Sequence, residues 1–371
     1  MKITKVEPLV LRLPEVDTTR ADGTQDAFLV RIHTDEGLIG VGEADTSPYL
    51  ARMAVEMPSS HAVARGIAEV LVGEDARQID RIWQRLYRAT SYYGRGGVAL
   101  HVISAIDMAL WDIAGKAAGL PVSELLGGRR VDALPVYASE VMPQAPEEAF
   151  ALAERAAAAG YTAFKLGWGP LGADLARDVA LIEAAREGIG AARDLMIDGG
   201  QAYTVKSSLR LLEAVEAANL YWFEEPLAPE DVAGYRRLSD RARVRIAAGE
   251  ADSGGAAFER LALEGHVDVL QPDLARCGGF TVGRRIRELA RAGVEVVPHC
   301  FSTGVLVAAS LHFVAALERP TWSEYSVADS PFVSGLLTQP FDFRDGMLRV
   351  PTGPGLGIDL DEELLRKMRV D

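Results

Sequence analysis

Cysteine is almost absent from this chain, which limits the classes of protein to which it can belong. Cys277 and Cys300 are the only two among 371 residues, and no C-x-x-C pair occurs, so no disulfide framework is expected. Basic residues are also the minority, because 39 lysines and arginines face 53 aspartates and glutamates, for a net charge of −14. That charge argues against nucleic acid or an anionic membrane as a partner.

Long apolar segments and nucleotide-binding motifs are missing as well. The longest apolar stretch, residues 304–317, contains Ser310 and His312 and is too short to span a bilayer. No signal-like apolar run follows MKITKVEPLVLRLP, so we expect a soluble, cytoplasmic protein. GVGEAD and GPGLG are rich in glycine, but neither completes the G-x-G-x-x-G motif between a strand and a helix, and no G-x-x-x-x-G-K-[ST] exists.

The first third of the chain has the pattern of an α+β domain. ITKVEPLVLRL and FLVRIHTD alternate like antiparallel strands, and the polar residues 15–25 connect them. In AIDMALWDIAGKAAG, residues 105–119, the apolar positions favour one broad helical face, and Gly119 and Pro121 end the helix. We expect this domain to cover residues 1–128 and the turn-rich tail, residues 351–371, to return to it.

Between residues 129 and 350, short apolar strands alternate with amphipathic helices such as EEAFALAERAAAAG. The eight strand candidates are ALPVYASE, TAFKLGW, DLMIDGG, LYWFEEP, RIAAGE, VDVLQPD, VEVVPHC and PTWSEYS. Apolar strands separated by helices predict a parallel sheet buried on both faces, and a count of eight favours closure into a barrel. The predicted fold is therefore α/β, a (β/α)8 TIM barrel with an N-terminal α+β capping domain.

Ionisable residues end most of these strands at nearly constant spacing. Asp198, Glu224, Glu250, Asp273 and His299 follow one another at intervals of 26, 26, 23 and 26 residues, one β-α unit per step. In a TIM barrel this spacing brings all five to the C-terminal rim, where catalytic groups lie.

Three of these residues are acids that would repel one another at a shared rim. Asp198, Glu224 and Glu250 would need protons or a cation to lie close together, and hard oxygen ligands suit Mg²⁺ better than Zn²⁺. Because strand side chains alternate, we expect Glu224 to point into the barrel and Glu225 away from it. The alternative is three independent acids, solvated or paired with lysine and arginine.

Asp273 and His299 lie on neighbouring strands and form a candidate dyad. A carboxylate beside an imidazole fixes its tautomer and raises its pKa, which produces a general base near neutrality. The alternative is a structural histidine, which is our expectation for the other five histidines unless they are exposed. We expect Cys300 to be a packed thiol rather than a nucleophile, because alternation turns it away from the rim.

These residues and their order resemble the mandelate racemase subgroup of the enolase superfamily. The likeness extends over the whole chain, through the helix phrase SAIDMALWDIAGKAAGLPVSELLGG, the strand-end motifs and the closing PTGPGLGI. It implies a modified (β/α)7β barrel, a small-molecule carboxylate as substrate and an even-numbered homo-oligomer.

The resemblance also implies a role for each residue at the rim. Asp198, Glu224 and Glu250 match the three Mg²⁺ ligands, and Asp273 and His299 match the His–Asp dyad. Glu324 in WSEYS matches the acid that hydrogen-bonds the substrate carboxylate. Lys165 matches the first lysine of the K-x-K motif, so its charge is expected beside the substrate carboxylate.

Three positions depart from the family pattern. Gly167 stands where racemases carry a second lysine, and we expect it to leave the space of that base empty. Gly200 stands where asparagine is common. Arg276 occupies the place of the catalytic lysine of the muconate cycloisomerase branch, which disfavours that branch.

The shared chemistry is abstraction of the proton α to a carboxylate through an enediolate. Elimination needs one acid–base pair, whereas racemisation needs a base on each face of the carbon. We therefore predict Mg²⁺-dependent dehydration of an aldonate or aldarate to a 2-keto-3-deoxy acid. The alternatives are a racemase, epimerase or cycloisomerase with Lys165 as second acid–base group, another metal-dependent barrel enzyme such as a hydrolase or aldolase, and a non-catalytic barrel scaffold.

Substrate specificity is expected to come from segments that close over the barrel mouth. Residues 15–25 and 45–49 are predicted to form this lid. We expect Trp168, Tyr203, Arg276 and Asp45 to line the substrate pocket.

Overall fold

The computed structural model describes residues 1–290 and 293–370; residues 291, 292 and 371, which fall within the predicted barrel and tail, lie outside the described residues. The chain begins with an antiparallel sheet of three strands, β1 (Ile3–Arg12), β2 (Asp26–Thr34) and β3 (Ile39–Ala44), in that order. Five helices follow: α1 (Pro48–Glu56), α2 (Ile67–Leu71), α3 (Ile79–Ala89), α4 (Val98–Ala118) and α5 (Val122–Leu125).

Helix α4 packs closely on β3 because two glycines leave room for it. A Cβ at Gly40 would lie 2.1 Å from the Ala109 carbonyl oxygen, and one at Gly42 would lie 1.9 Å from that of Ala105. The intervening side chains of β3 therefore point to the opposite face. Helix α4 begins seven residues before the predicted start. It is long and apolar enough to cross a membrane, yet 83% of its most apolar 18-residue stretch is buried inside the protein, as in a core helix.

The second part of the chain alternates strands and helices as predicted. Its strands are β4 (Ala133–Val141), β5 (Ala163–Gly167), β6 (Asp194–Asp198), β7 (Trp222–Glu224), β8 (Arg245–Ala248), β9 (Val269–Leu270), β10 (Glu295–Val296) and β11 (Ser323–Ser326). Its helices are α6 (Pro146–Ala158), α7 (Leu175–Ile189), α8 (Val205–Ala214), α9 (Val232–Ser239), α10 (Gly255–Leu263), α11 (Gly279–Ala290) and α12 (Gly304–Ala315). Parallel pairing runs from β4 to β10 in sequence order, and β11 pairs with the free side of β4, so the TIM barrel is confirmed.

The interior of the barrel explains why the strand ends face its mouth. One apolar layer is formed by Tyr137, Ala163, Met196, Trp222, Ala247, Val269 and Val297. Side chains two positions apart on a strand point the same way. The side chains two positions after this layer therefore point to the same axis, one layer higher. They are Lys165, Asp198, Glu224 and His299, which follow Ala163, Met196, Trp222 and Val297.

The end of the chain returns to both parts of the molecule. It contains α13 (Pro331–Ser334), β12 (Phe343–Arg344), β13 (Met347–Arg349) and α14 (Glu362–Met368). Strand β13 pairs antiparallel with the start of β4, and beyond α14 the Val370 N–H donates to the Val10 carbonyl at 2.8 Å. The domain boundaries at residues 128 and 350 stay predictions.

Candidate active site

Three buried carboxylates meet at the end of strands β6, β7 and β8. One carboxylate oxygen from each of Asp198, Glu224 and Glu250 lies within 4.8 Å of the other two. Burial raises the pKa of Asp198 well above its usual value, and the charges of the other two acids add to the shift. Burial likewise raises the pKa of Glu250 to about 7.

This cluster fits a hard divalent cation such as Mg²⁺. Its donors are all carboxylate oxygens, the class of ligand that Mg²⁺ prefers. The Glu250 Oε2 atom is buried and lacks a hydrogen-bond partner among the described residues, although the His299 ring lies nearby. A cation would relieve the mutual repulsion of the three acids and satisfy this oxygen.

Glu225 points away from the cluster, as strand alternation predicts. Its carboxylate accepts hydrogen bonds from the Gln201 side chain at 2.7 Å and from the N–H groups of Gly249 and Ala251 at 3.3 and 3.2 Å. Glu225 thus connects the loops that follow β6 and β8. Glu224 is fixed separately, since the Trp222 indole N–H donates to it at 3.0 Å.

His299 and Asp273 form a hydrogen-bonded pair beside the carboxylate cluster. The His299 Nδ1 atom lies 2.8 Å from Asp273 Oδ2, which leaves Nε2 directed toward Glu250 at 3.4 Å. Burial alone would lower the pKa of His299, but Glu250, Glu324 and the bond to Asp273 raise it to about 10. A cation held by Glu250 would offset that carboxylate charge and so lower the pKa of His299 toward neutrality.

Lys165 lies between two acids rather than free in the cavity. Its Nζ is 2.6 Å from Glu224 Oε1 and 2.8 Å from Glu324 Oε1. Burial would lower the pKa of Lys165, but these two carboxylates raise it well above its usual value. Burial would raise the pKa of Glu324, yet Lys165 and His299 lower it to about 2, and its second oxygen accepts the Cys300 N–H at 2.7 Å. Lys165 is therefore a cation and Glu324 an anion.

A cavity of about 240 Å³ opens above these groups. Lys165, Asp198, Glu250, His299 and Glu324 line its floor, and Ala21 and Gly23 of the loop 15–25 line its upper side. The loop is held there in part because the Ser330 hydroxyl donates to the Thr24 carbonyl at 2.6 Å. Residues 15–25 therefore cover the barrel mouth, as expected of a lid.

Sequence reasoning missed the contribution of the first barrel strand to this cavity. Ser139 and Glu140 line it at the end of β4, together with Phe301 beyond β10. Burial raises the pKa of Glu140. Glu140 ends the strand candidate ALPVYASE, so the same strand-end rule that identified the other acids could have found it.

Two of the four predicted pocket residues line the cavity, and the other two do not. Trp168 and Arg276 are lining residues. Asp45 lies behind Arg276 and accepts a hydrogen bond from its Nη2 at 2.6 Å. The prediction for Tyr203 is wrong, because its ring is buried and its hydroxyl donates to Asp178 on helix α7 at 2.8 Å.

The two glycine departures are explained by packing. The expectation that Gly167 leaves empty space is wrong, because an added Cβ would lie 2.3 Å from the Cβ of Asp198 on the neighbouring strand. Gly200 has a φ of +53°, and a Cβ there would lie 3.2 Å from the Trp168 ring. Both glycines therefore permit close contact at the rim, the first with the carboxylate cluster and the second with the cavity wall.

Comparison with known protein families identifies two matching regions. Residues 1–127 match the mandelate racemase / muconate lactonizing enzyme N-terminal domain, and residues 148–364 match the enolase C-terminal domain-like family.

Similar proteins include enzymes of two named activities. A D-galactarolactone cycloisomerase of Agrobacterium fabrum is 35% identical over 357 residues, covering 92% of this chain and 91% of the relative. A D-galactonate dehydratase of Ralstonia nicotianae is 33% identical over 351 residues, covering 91% and 90%. Among solved structures, the 3,6-anhydro-D-galactonate cycloisomerase of Zobellia galactanivorans superposes with a TM-score of 0.90 at 32% identity over the full length of both chains. A racemase of Streptomyces coelicolor with bound magnesium gives 0.87 at 29% identity, covering 99% of this chain and 100% of the other.

Proposed function

The chain belongs to the mandelate racemase / muconate lactonizing enzyme family of the enolase superfamily, and on this premise we propose that it is a Mg²⁺-dependent sugar-acid dehydratase. It would convert an aldonate or aldarate into the 2-keto-3-deoxy acid. The observation that carries this proposal is the pairing of Lys165 with Glu224 and Glu324. A lysine held as a cation by two carboxylates cannot accept a proton. A cation at Glu250 would offset the charge that raises the pKa of His299, so His299 is left as the base among the described residues that line the cavity.

One acid–base group is enough for elimination. Asp273 holds the His299 ring through Nδ1, which leaves Nε2 to take the α-proton of the substrate. The electrons of the broken C–H bond move toward the carboxylate and give an enediolate. They then return to expel the β-hydroxyl, which leaves as water with the proton that His299 gives back. The resulting enol tautomerises to the 2-keto acid.

The remaining residues bind the substrate carboxylate and stabilise charge. Lys165 supplies a fixed positive charge beside the place where negative charge develops, and such a charge lowers the barrier if it acts more strongly on the transition state than on the substrate. Asp198, Glu224 and Glu250 would hold Mg²⁺, which supplies further positive charge against the substrate carboxylate when bound. Glu324 fixes Lys165 on the side away from Glu224.

A cycloisomerase acting on a sugar-acid lactone or anhydro sugar acid is the second candidate. The identity of 35% to a D-galactarolactone cycloisomerase favours it. The first step would be the same, and the difference would lie in the group expelled. Loss of a free hydroxyl releases water, whereas loss of a ring oxygen opens the ring and leaves the mass unchanged. Racemisation is less well supported, because Lys165 would have to exchange protons while paired with two acids.

Incubation of a panel of sugar acids and their lactones with the Mg²⁺-loaded protein tests these alternatives. A product lighter than its substrate by one water supports dehydration, a keto product of equal mass indicates cycloisomerisation, and exchange of the α-proton for solvent deuterium without either product indicates epimerisation.

Two variants show whether the activity belongs to the proposed site. His299→Asn should abolish turnover, and His61→Asn, the same change at an exposed histidine, should leave it intact. Full turnover by His299→Asn would rule out the proposed dyad.

We further propose Mg²⁺ as the resident cofactor, assembly into a homo-oligomer and a cytoplasmic location. The buried carboxylate cluster supports the first of these. Size-exclusion chromatography with light scattering would test the second.

A further inference from the structure

Strand β3 of the N-terminal part sends two acidic side chains to the barrel. Glu43 and Asp45 are two positions apart, so both point away from the face on which Gly40 and Gly42 contact helix α4. Glu43 is fully buried. Neither residue lines the floor of the cavity, and Glu43 has no role in the steps of the proposed reaction.

Glu43 binds the first turn of helix α12 in the barrel. One of its oxygens accepts the Ser302 hydroxyl and the Thr303 N–H at 3.2 Å. The other accepts the Thr303 hydroxyl at 2.5 Å and the Leu306 N–H at 2.9 Å. These N–H groups belong to the start of the helix, where no carbonyl of the helix can accept them. Thr303 caps the helix by accepting the Val305 N–H at 3.1 Å, and the Glu43 carboxylate adds to this cap from a segment about 260 residues away in sequence.

The segment that Glu43 holds also carries His299. Only Cys300 and Phe301 separate His299 from Ser302. The Cys300 N–H donates to Glu324 at 2.7 Å, so the chain between the histidine and the helix is bound at both ends. A shift of helix α12 would therefore move the imidazole.

Asp45 contacts the loop that carries the other member of the dyad. It accepts a hydrogen bond from Arg276 Nη2 at 2.6 Å. Arg276 Nε lies 3.6 Å from Asp273 Oδ2, the same oxygen that binds His299. Arg276 Nη1 also donates to the Glu250 carbonyl at 3.3 Å. Without Asp45, the guanidinium would keep that bond but could form a closer pair with Asp273 and compete with His299 for that oxygen.

We propose that strand β3 positions the dyad, with Glu43 holding the segment of His299 and Asp45 holding Arg276 beside Asp273. Both are positioning residues, since neither touches the reacting atoms. The strand also pairs with β2, which follows the lid loop 15–25, so one sheet supports the lid and the base. The inference rests on the proposed function for its kinetic consequences, but not for the contacts.

The contacts make Glu43→Gln a sharp test, because each carboxylate oxygen accepts a backbone N–H. A glutamine in either orientation would place its NH₂ group against one of these donors. The change keeps the size of the side chain and removes its negative charge and its ability to accept on both sides. Asp45→Asn similarly removes the charge that holds Arg276, and Asp45→Glu keeps it.

In the proposed reaction, Glu43→Gln and Asp45→Asn should lower kcat on the order of tenfold or more, because small displacements of a catalytic group have large effects on rate. For Glu43→Gln, KM should stay within about twofold, since Lys165 and the acids around it are untouched. Asp45→Asn should change KM as well, because Arg276 lines the cavity. Asp45→Glu should recover most of the lost kcat. Glu36→Gln, a change at an exposed acid of the same part of the chain, serves as the control and should match the wild type. Unchanged kcat in both folded variants would overturn the proposal.

Amide hydrogen exchange of residues 299–306 gives a readout that does not need activity. Exchange there should be faster in Glu43→Gln and in Ser302→Ala than in the wild type and Glu36→Gln. If Glu43→Gln does not fold, the exchange rates of Ser302→Ala test the positioning role of Glu43 in its place. A wild type that turns over no sugar acid contradicts the proposed function, and exchange then decides the positioning role of Glu43 alone. Unchanged amide exchange in these variants, or faster exchange with unchanged kcat, would overturn the positioning role of Glu43.

Discussion

Removal of the divalent cation should reveal a contribution to the stability of this protein that is lost as the pH rises. The reason lies in Glu250, one of the three buried acids at the rim of the barrel. Its pKa is raised from 4.5 to about 7 by burial, so the folded protein binds its proton more tightly than the unfolded chain does. A group of this kind stabilises the fold fully below pH 4.5, and the stabilisation is lost as the pH rises through the folded-state pKa.

The size of the effect follows from the shift in pKa. A shift from 4.5 to about 7 corresponds to a loss of about 3 kcal/mol in the free energy of unfolding between pH 4 and pH 8. The raised pKa of Asp198 acts in the same direction. A bound cation needs the ionised acids, so saturating Mg²⁺ should remove this loss. Near pH 7, where Glu250 is about half protonated, binding should also release roughly half a proton or more.

Urea unfolding from pH 4 to pH 8, with chelator or with saturating Mg²⁺, measures the free energy of unfolding. Titration calorimetry in buffers of different ionisation enthalpy measures the number of protons that Mg²⁺ binding releases. Glu250→Gln, which cannot ionise, should flatten the pH dependence of the metal-free protein and weaken Mg²⁺ binding. The reasoning is refuted if the metal-free wild type and metal-free Glu250→Gln show the same dependence of stability on pH, or if Mg²⁺ binds near pH 7 without releasing protons.

Two further predictions concern packing and a structural histidine. Gly167→Ala should displace Asp198 and weaken Mg²⁺ binding about tenfold or more by calorimetry, since overpacking costs about 1–3 kcal/mol. The control Gly255→Ala, where no neighbouring atom lies nearer than 3.9 Å to the added Cβ, should bind Mg²⁺ like the wild type. Equal Mg²⁺ affinities of the two variants would contradict the contact between residue 167 and Asp198. Burial lowers the pKa of His312 from 6.5 to about 4, so its stabilisation is present above pH 6.5 and is lost as the pH falls toward 4. Between pH 7 and pH 5, urea unfolding should show that the wild type loses about 2 kcal/mol relative to His312→Asn, and an identical change in both proteins would show that another group is responsible.

Much of the site could be predicted because two periods in the sequence are regular. One β-α unit per step brings Asp198, Glu224 and Glu250 to one rim, and the two-residue period of a strand separates Glu224 from Glu225. Neither inference needs the distance between any two strands.

The errors arose where a distance between segments decides the outcome. Tyr203 follows a strand end like the other candidates, yet its hydroxyl is bound by Asp178, which comes from the helix before that strand. Gly167 was expected to leave space, but the closeness of Asp198 on the next strand fills it. Such close approaches depend on how strands are spaced around the barrel, which no local pattern encodes.

Periodicity and spacing along the chain are enough to predict the fold and the set of ionisable groups at the barrel mouth, because they decide which side chains share an end of a sheet. The resemblance of the motifs indicates the family. The tertiary structure alone decided which of those groups pair. It sets Lys165 between Glu224 and Glu324, and so leaves His299 as the proposed base. It also brings Glu43 to helix α12, about 260 residues further along the chain. Charges and hydrogen bonds act over a few ångströms in space, and that proximity exists only once the strands and helices have packed.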